Sequence, residues 1–250
     1  MSGIVVRPVR FTDNVKQMQG FLELVGLRPR VESRQGSWVD LVAGGGMVAL
    51  HSAATSATGA RPGETSLSFE ADDVDALADS MKAAGVDGVT VYDEAYGRVL
   101  TCRDPLGDEI AVDCQGDDPY GYRVHPLAAP SSLRVSPVRF TDPQGPYGGF
   151  LEALGLTRVG TSDEFYASFT ASEGNHGLVG LHHVYGDLPV LDRPGAVQLT
   201  FTTTEALDDV VKRLADKGFE APITREDFGV FVTVTDPDGQ EVQIHEAPSA

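Results

Sequence analysis

Four polar residues, His51, Asp113, His182 and His245, stand at matched places near the ends of four strand-like segments. Imidazoles and a carboxylate make a divalent-metal ligand set if the strands that carry them converge. His182 and His245, which fall in the same half of the chain, are the pair that would hold the ion. Without a metal, a polar residue near a strand end simply meets water. His183 should face the other side of its strand from His182 and be exposed. Arg10 and Arg139 form a second candidate pair, since arginine recognises carboxylate or phosphate through paired hydrogen bonds. The competing use is an ion pair with an acid across the sheet, such as Glu109 or Glu241. The third set is aromatic and comprises Trp38 with Tyr166 and Tyr96 with Phe228. Flat rings in a cleft stack on planar ligands and attract cations, although core packing is the commoner fate of a strand aromatic. Tyr96 and Phe228 each precede a glycine, where the backbone can bend.

The chain that must position these groups is duplicated. Pro8-Val-Arg-Phe-Thr-Asp13 recurs unchanged as Pro137 to Asp142, and Phe21 to Leu27 matches Phe150 to Leu156. Asp104-Pro-Leu-Gly-Asp-Glu109 matches Asp236-Pro-Asp-Gly-Gln-Glu241 in the same order. Two domains follow, 1–118 and 133–250, with a Pro-, Ala- and Ser-rich linker over 119–132. Each half divides again. Residues 4–11 read as a strand, and Asp13 as the cap of a helix whose apolar face is Met18, Phe21, Leu22 and Val25, stopped at Gly26. Short strands follow over 37–43 and 47–51, with Gly44-Gly45-Gly46 as their turn. The cycle restarts with a strand over 66–70, a helix capped by Asp72 or Asp73, and a closing hairpin of 98–103 with 108–112. In the second half the helices fall at about 142–154 and 205–217, and the last hairpin joins 230–235 to 240–245. The fold class is α+β, built from four βαβββ units.

Thirty-seven acidic against nineteen basic side chains leave a net charge of −18, which repels phosphate backbones and sets nucleic acid aside as a partner. No apolar run reaches the length of a membrane span, and the start has none of the marks of a signal peptide, so a cytoplasmic protein is expected. Cys102 and Cys114 flank the Asp104 turn at unequal distances, and no disulfide is expected between them. There is no Gly-rich phosphate loop, nucleophile elbow or close-spaced Cys/His cluster.

A strand ending in Thr-Asp, a helix ending Phe-Leu-Glu-x-x-Gly-Leu and a final Asp-Pro-x-Gly hairpin together resemble the vicinal-oxygen-chelate superfamily. This group contains glyoxalases, bleomycin-resistance proteins and extradiol dioxygenases. Tyr96-Gly97 and Phe228-Gly229, just before the penultimate strands, fit the same pattern. The resemblance implies that paired units curl their mixed sheets into a cup, with helices on the outer face and the ligand inside. It also implies a chain that is a fused dimer in itself, acting as a monomer or pairing once more as a homodimer. Catalytic members hold a divalent metal on His, Gln and Glu at fixed strand positions. Counted from Asp13 and the hairpin Asp104, those positions fall here on Val6, Ala49, Ser66 and Ala111. In the second half they fall on Val135, Gly180, Gln198 and Gln243. The expectation is therefore a binder of a planar or cationic small molecule, such as an antibiotic, without a metal cofactor. Trp38, Tyr96, Tyr166, Phe228, Arg10 and Arg139 are its expected ligand contacts, with the arginines pointing into the cup. The alternatives are a metal-dependent lyase or dioxygenase with a displaced ligand set at His182 and His245, and a metal-free enzyme using Arg10, Arg139 or His245.

Overall fold

The computed structural model of the protein describes residues 3–115, 121–126, 129–171, 176–185 and 196–247. The first unit comprises β1 (Ile4–Val6), β2 (Val9–Thr12), α1 (Val15–Val25), β3 (Arg28–Ser33), β4 (Trp38–Val42) and β5 (Met47–Ser52). The second comprises β6 (Thr65–Ser66), β7 (Ser68–Ala71), α2 (Val74–Ala83), β8 (Thr90–Glu94), β9 (Gly97–Arg103) and β10 (Glu109–Gln115). After β11 (Tyr122–Val124), the third has β12 (Leu133–Val135), β13 (Val138–Phe140), α3 (Tyr147–Ala153), β14 (Leu156–Val159), β15 (Tyr166–Ala171) and β16 (Leu178–His182). The fourth has β17 (Val197–Gln198), β18 (Thr200–Thr203), α4 (Leu207–Ala215), β19 (Ile223–Glu226), β20 (Gly229–Thr235) and β21 (Glu241–Glu246).

Every unit's opening strand, expected as one piece, is two. Proline has no N–H for a ladder, and the chain turns at Arg7-Pro8 and at Ser136-Pro137. The two pieces then join different sheets. In the first domain the orders are β1-β7-β10-β9-β8 and β11-β3-β4-β5-β2-β6. In the second they are β12-β18-β21-β20-β19 and β14-β15-β16-β13-β17. Each domain is thus a pair of mixed sheets stitched by exchanged strand starts.

Helices α1 and α2 begin where short polar side chains satisfy open N–H groups. Asn14, one residue past the expected Asp13, accepts from the Gln17 N–H at 3.0 Å, and Asp73 accepts from Ala76. Met18, Phe21, Leu22 and Val25 are buried, as their spacing requires, and α1 ends at Gly26 with φ 129°. Helix α3 is shorter than expected because Pro146 can stand only at a helix start. Part of the expected linker is structure: β11 pairs antiparallel with β3 and extends the first domain's sheet. Positions 119, 120, 127 and 128 of that linker lie outside the described residues.

The two domains interlock. The turn between β4 and β5 reaches into the second domain, where the Val135 N–H donates to the Gly45 carbonyl at 2.8 Å and the Gly45 N–H donates to Leu133. The matching turn of the second domain reaches back, with the Val6 N–H on the His176 carbonyl at 2.8 Å. Gly44 has no room for a side chain, since a Cβ there would lie 1.8 Å from the Ser131 oxygen. The glycine run is therefore both a turn and an interdomain contact. Helix α1 also meets the segment that follows α4, where the Phe21 and Phe219 ring centroids are 5.1 Å apart.

Candidate functional site

Helix α1 packs on Val39, Leu41, Val48 and Leu50 in one continuous core. Since neighbours on a strand alternate in direction, Trp38, Asp40, Ala49 and His51 face the other way, into the cup. On β2, Arg10 is in register with Leu50, while Val9 and Phe11 are in register with Ala49 and His51. Arg10 therefore points to the helix side and not into the cup. The expectation erred because Val9 and Phe11 are apolar inside the cup, so both faces of β2 are buried.

Arg10 and Arg139 lock the domains together. Arg10 is ion-paired to Asp236 in the other domain's hairpin turn and donates to the Gly63 carbonyl at 2.6 Å and to Thr65 at 2.8 Å. Reciprocally, Arg139 reaches Asp104 and Asp108 at 2.6 Å each, with the Tyr147 hydroxyl donating to Asp104 at 2.8 Å. Both arginines and both turn carboxylates are buried. The ion-pair alternative thus holds, although the partners are the turn aspartates and not Glu109 or Glu241.

The interior of the N-terminal cup is charged. Arg7 is buried between the sheets, ion-paired to Asp40 on β4 at 3.1 Å and to Asp113 on β10. Arg30, from a bulge in β3, grips Glu70 of β7 with contacts of 2.5 and 2.9 Å. The Arg7 guanidinium lies over the Trp38 ring, 5.6 Å from its centroid, and Trp38 meets His51 edge-on. Tyr96 is near enough to Arg7 and Tyr122 to feel both electrostatically, although burial is the main cause of its raised pKa.

At the same places the C-terminal cup is uncharged. Ser136 stands for Arg7, Ser168 for Asp40 and His245 for Asp113, by the strand registers. On one wall Phe228, three-quarters exposed, stacks on buried Phe231 at 5.8 Å and 17°, and Phe231 stacks on His245 at 4.9 Å and 27°. Burial lowers the His245 pKa and favours the neutral ring. A polar chain runs beside the stack. Gln243 donates to Glu241 at 2.8 Å and accepts from His245 Nε2 at 3.1 Å, and Gln198 also donates to Glu241. On the other wall His182 donates from Nδ1 to the His183 carbonyl at 2.7 Å. Phe140, Tyr166 and Tyr185 surround it, with centroids 5.5–6.3 Å away. Tyr166 lies over Gly180, where a Cβ would come within 2.6 Å of the phenol oxygen. His183 is half-buried against Phe165 and Tyr185, and not simply exposed.

The expected residues are thus brought together as Trp38 with His51, Tyr166 with His182, and Phe228 with His245. His182 and His245 keep to separate sheets and separate ring clusters. Among the described residues no three His, Cys, Asp or Glu side chains gather closely enough for a metal ion. The first of the counted metal positions does not face the cup. Val6 and Val135 are in the helix-side core, and the neighbouring Arg7 and, by the repeat, Ser136 are the residues on the other face. Sequence reasoning missed Arg7, Arg30, Asp40, Glu70 and Phe231. A lone acid in Trp-Val-Asp-Leu-Val was the signal available for Asp40, because a charge inside an apolar strand needs a partner. Burial pushes the Cys102 thiol up to about 12, and the Cys114 thiol donates to the Asp72 carbonyl at 3.3 Å.

The sequence model of the Glyoxalase/Bleomycin resistance protein/Dioxygenase superfamily matches residues 150–244. No curated protein sequence matches the chain. Among solved structures, a mutant 4-hydroxymandelate synthase from Streptomyces coelicolor superposes with a TM-score of 0.67 at 13% identity, over 100% of this chain and 94% of that one. A catechol 2,3-dioxygenase superposes at 0.65 with 13% identity, over 98% and 90%. The Mn(II)-bound glyoxalase from Novosphingobium aromaticivorans gives 0.63 with 17% identity, over 98% and 83%. No helix of the described residues is long and apolar enough to cross a membrane. Residues 150–244 thus match the sequence model of the glyoxalase, bleomycin resistance and dioxygenase superfamily, and the whole chain, both halves of the repeat included, has the fold of these synthase, dioxygenase and glyoxalase structures.

Proposed function

We propose that the protein binds a small molecule in its C-terminal cup, and that the ligand is planar and held mainly by ring stacking. The observation that carries this reading is the ladder of Phe228, Phe231 and His245, three nearly parallel rings leading from solvent into the cup. An exposed phenylalanine at the head of such a stack offers a free aromatic face. Gln198 and Gln243 supply hydrogen bonds to fix a polar edge, and Tyr166 with His182 forms the opposite wall. Sequestration of a toxic or antibiotic compound is the role that the bleomycin-resistance relatives suggest.

The metal implied by the superfamily does not fit the residues present. In the first cup its positions hold Arg7, Ala49, Ser66 and Ala111, a cation and three groups without a negative charge. In the second they hold Ser136, Gly180, Gln198 and Gln243. The Tyr166 ring occupies the space beside Gly180, and the Gln243 carboxamide oxygen already accepts from His245. Firm divalent sites use carboxylates and imidazoles. Elemental analysis of protein purified without chelator should therefore find well under one Mn, Fe, Ni or Zn per chain. One per chain, lost on His182→Ala or His245→Ala, would reverse this reading and favour a lyase or dioxygenase.

The binding claim is tested by a thermal-shift screen of planar aromatic compounds, followed by calorimetry on the hits. Phe228→Ala and Tyr166→Ala should each weaken a hit by about 10- to 100-fold, the equivalent of roughly 1.4–2.8 kcal/mol. Unchanged affinity in both variants would place the ligand elsewhere.

A further inference from the structure

The N-terminal cup contains everything needed to hold an organic cation, and it already holds one. Asp40 and Asp113 approach from opposite sheets, the Trp38 ring supplies an aromatic face, and Glu70 stands next to Asp113 across the ladder. Between them lies the Arg7 guanidinium, 3% exposed. Planar, forked donors match paired carboxylates better than a point charge does, and a guanidinium also stacks on an aromatic ring. The position that supplies this cation is the first-strand position of the cup, where the second domain has only Ser136.

We propose that the N-terminal cup is a guanidinium-selective site filled by the chain's own Arg7, so that the side chain acts as a built-in ligand. Two features beyond the ion pairs support this. The Arg7 Nε is buried without a hydrogen-bond partner, as expected of a group aimed by its terminal fork and not by its stem. The three carboxylates Asp40, Glu70 and Asp113 meet only two cations, Arg7 and Arg30, so loss of Arg7 leaves the cup strongly anionic. An empty cup of that kind would take alkylguanidines or amidines in preference to alkylammonium ions. The inference concerns a different domain from the C-terminal cup and stands independently of the function proposed for it.

Chemical rescue tests the proposal. Arg7→Ala should melt on the order of 10 °C below the parent protein, because half-buried Asp113 loses its counter-charge and buried Asp40 is left with the longer contact to Arg30. Millimolar n-propylguanidinium, which carries the missing guanidinium on a stem one carbon longer than the part removed, should recover at least half of that loss with saturable dose dependence. Propylammonium at equal ionic strength should recover little, and the parent protein should not respond. The double variant Arg7→Ala/Asp113→Ala should lose the response. Rescue by propylammonium as good as by the guanidinium, rescue by Mn²⁺ or Zn²⁺ instead, or no rescue at all would overturn the proposal. If Arg7→Ala does not fold, the parent protein provides the readout. The Arg7 side-chain N–H signal in ¹⁵N NMR should exchange with water far more slowly than that of exposed Arg61. Equal exchange rates would show that Arg7 does not occupy the cup.

Discussion

Asp104→Ala should lower stability by about 3–5 kcal/mol, the usual consequence of removing one partner of a buried ion pair. For a chain of this size the melting temperature would fall by roughly 10 °C. The Asp104 side chain has no solvent exposure and accepts four hydrogen bonds. One oxygen takes the N–H groups of Leu106 and Asp108 at 2.9 Å and closes the turn. The other takes Arg139 at 2.6 Å and the Tyr147 hydroxyl at 2.8 Å. Truncation takes from Arg139 its buried carboxylate partner, Asp108 being largely exposed, and strips the buried Tyr147 hydroxyl of its acceptor. Burial already holds the Tyr147 pKa well above its ordinary value, so the phenol cannot ionise to compensate. Tyr147→Phe, which removes one hydrogen bond to the Asp104 carboxylate and leaves the ion pair in place, should cost less, about 1.5–3 kcal/mol. Chemical denaturation of the two variants would check the ranking. A loss below about 1 kcal/mol for Asp104→Ala would mean that the hairpin turn is not a structural lock.

The second large effect is expected at Gly177, where alanine should cost about 3 kcal/mol or more through strain and overpacking combined. Its φ of 97° lies in the left-handed region, and a Cβ would stand 2.7 Å from the Val6 Cβ and 3.3 Å from the Val135 oxygen. Gly46 faces it across the same contact, with φ 80° and a Cβ position 3.0 Å from Val135. Gly239 makes the control. It also has positive φ, at 81°, but nothing lies within 4 Å of its Cβ position. Gly239→Ala should therefore show the backbone strain alone, about 1–2 kcal/mol. Equal losses at Gly177 and Gly239, measured by urea melts, would show that the close approach of the two domains adds nothing.

The fold was legible because duplication is a property of order and spacing, which survive where individual residues change. Pro8 to Asp13 and its copy set two matching frames, and the two Asp-Pro-x-Gly turns placed the closing hairpins. Aromatic and histidine partners along the cup wall were legible too, since residues two apart on a strand share a face. The direction of Arg10 was not. With Phe11 apolar inside the cup and Arg10 buried on the helix side, the two faces of β2 carry no hydrophobic contrast to read. Arg7 was hidden for another reason: it has no copy in the second half, so the repeat offered no reason to single it out. Counting seven residues back from Asp13 landed on Val6, one residue from Arg7, which on a strand is the opposite face.

The lock between Arg10 and Asp236 spans 226 residues of sequence. At ordinary rates of synthesis, about 5–20 residues per second, roughly 11–45 s separate the appearance of the two partners. During that interval a strand centre that will be fully enclosed presents a bare positive charge. The cup of the first half needs less than half of this delay, because Arg7, Asp40 and Asp113 are all made within its own unit pair. Ionic closure of that cup can thus precede, and hold in shape, the surface on which the second half later docks.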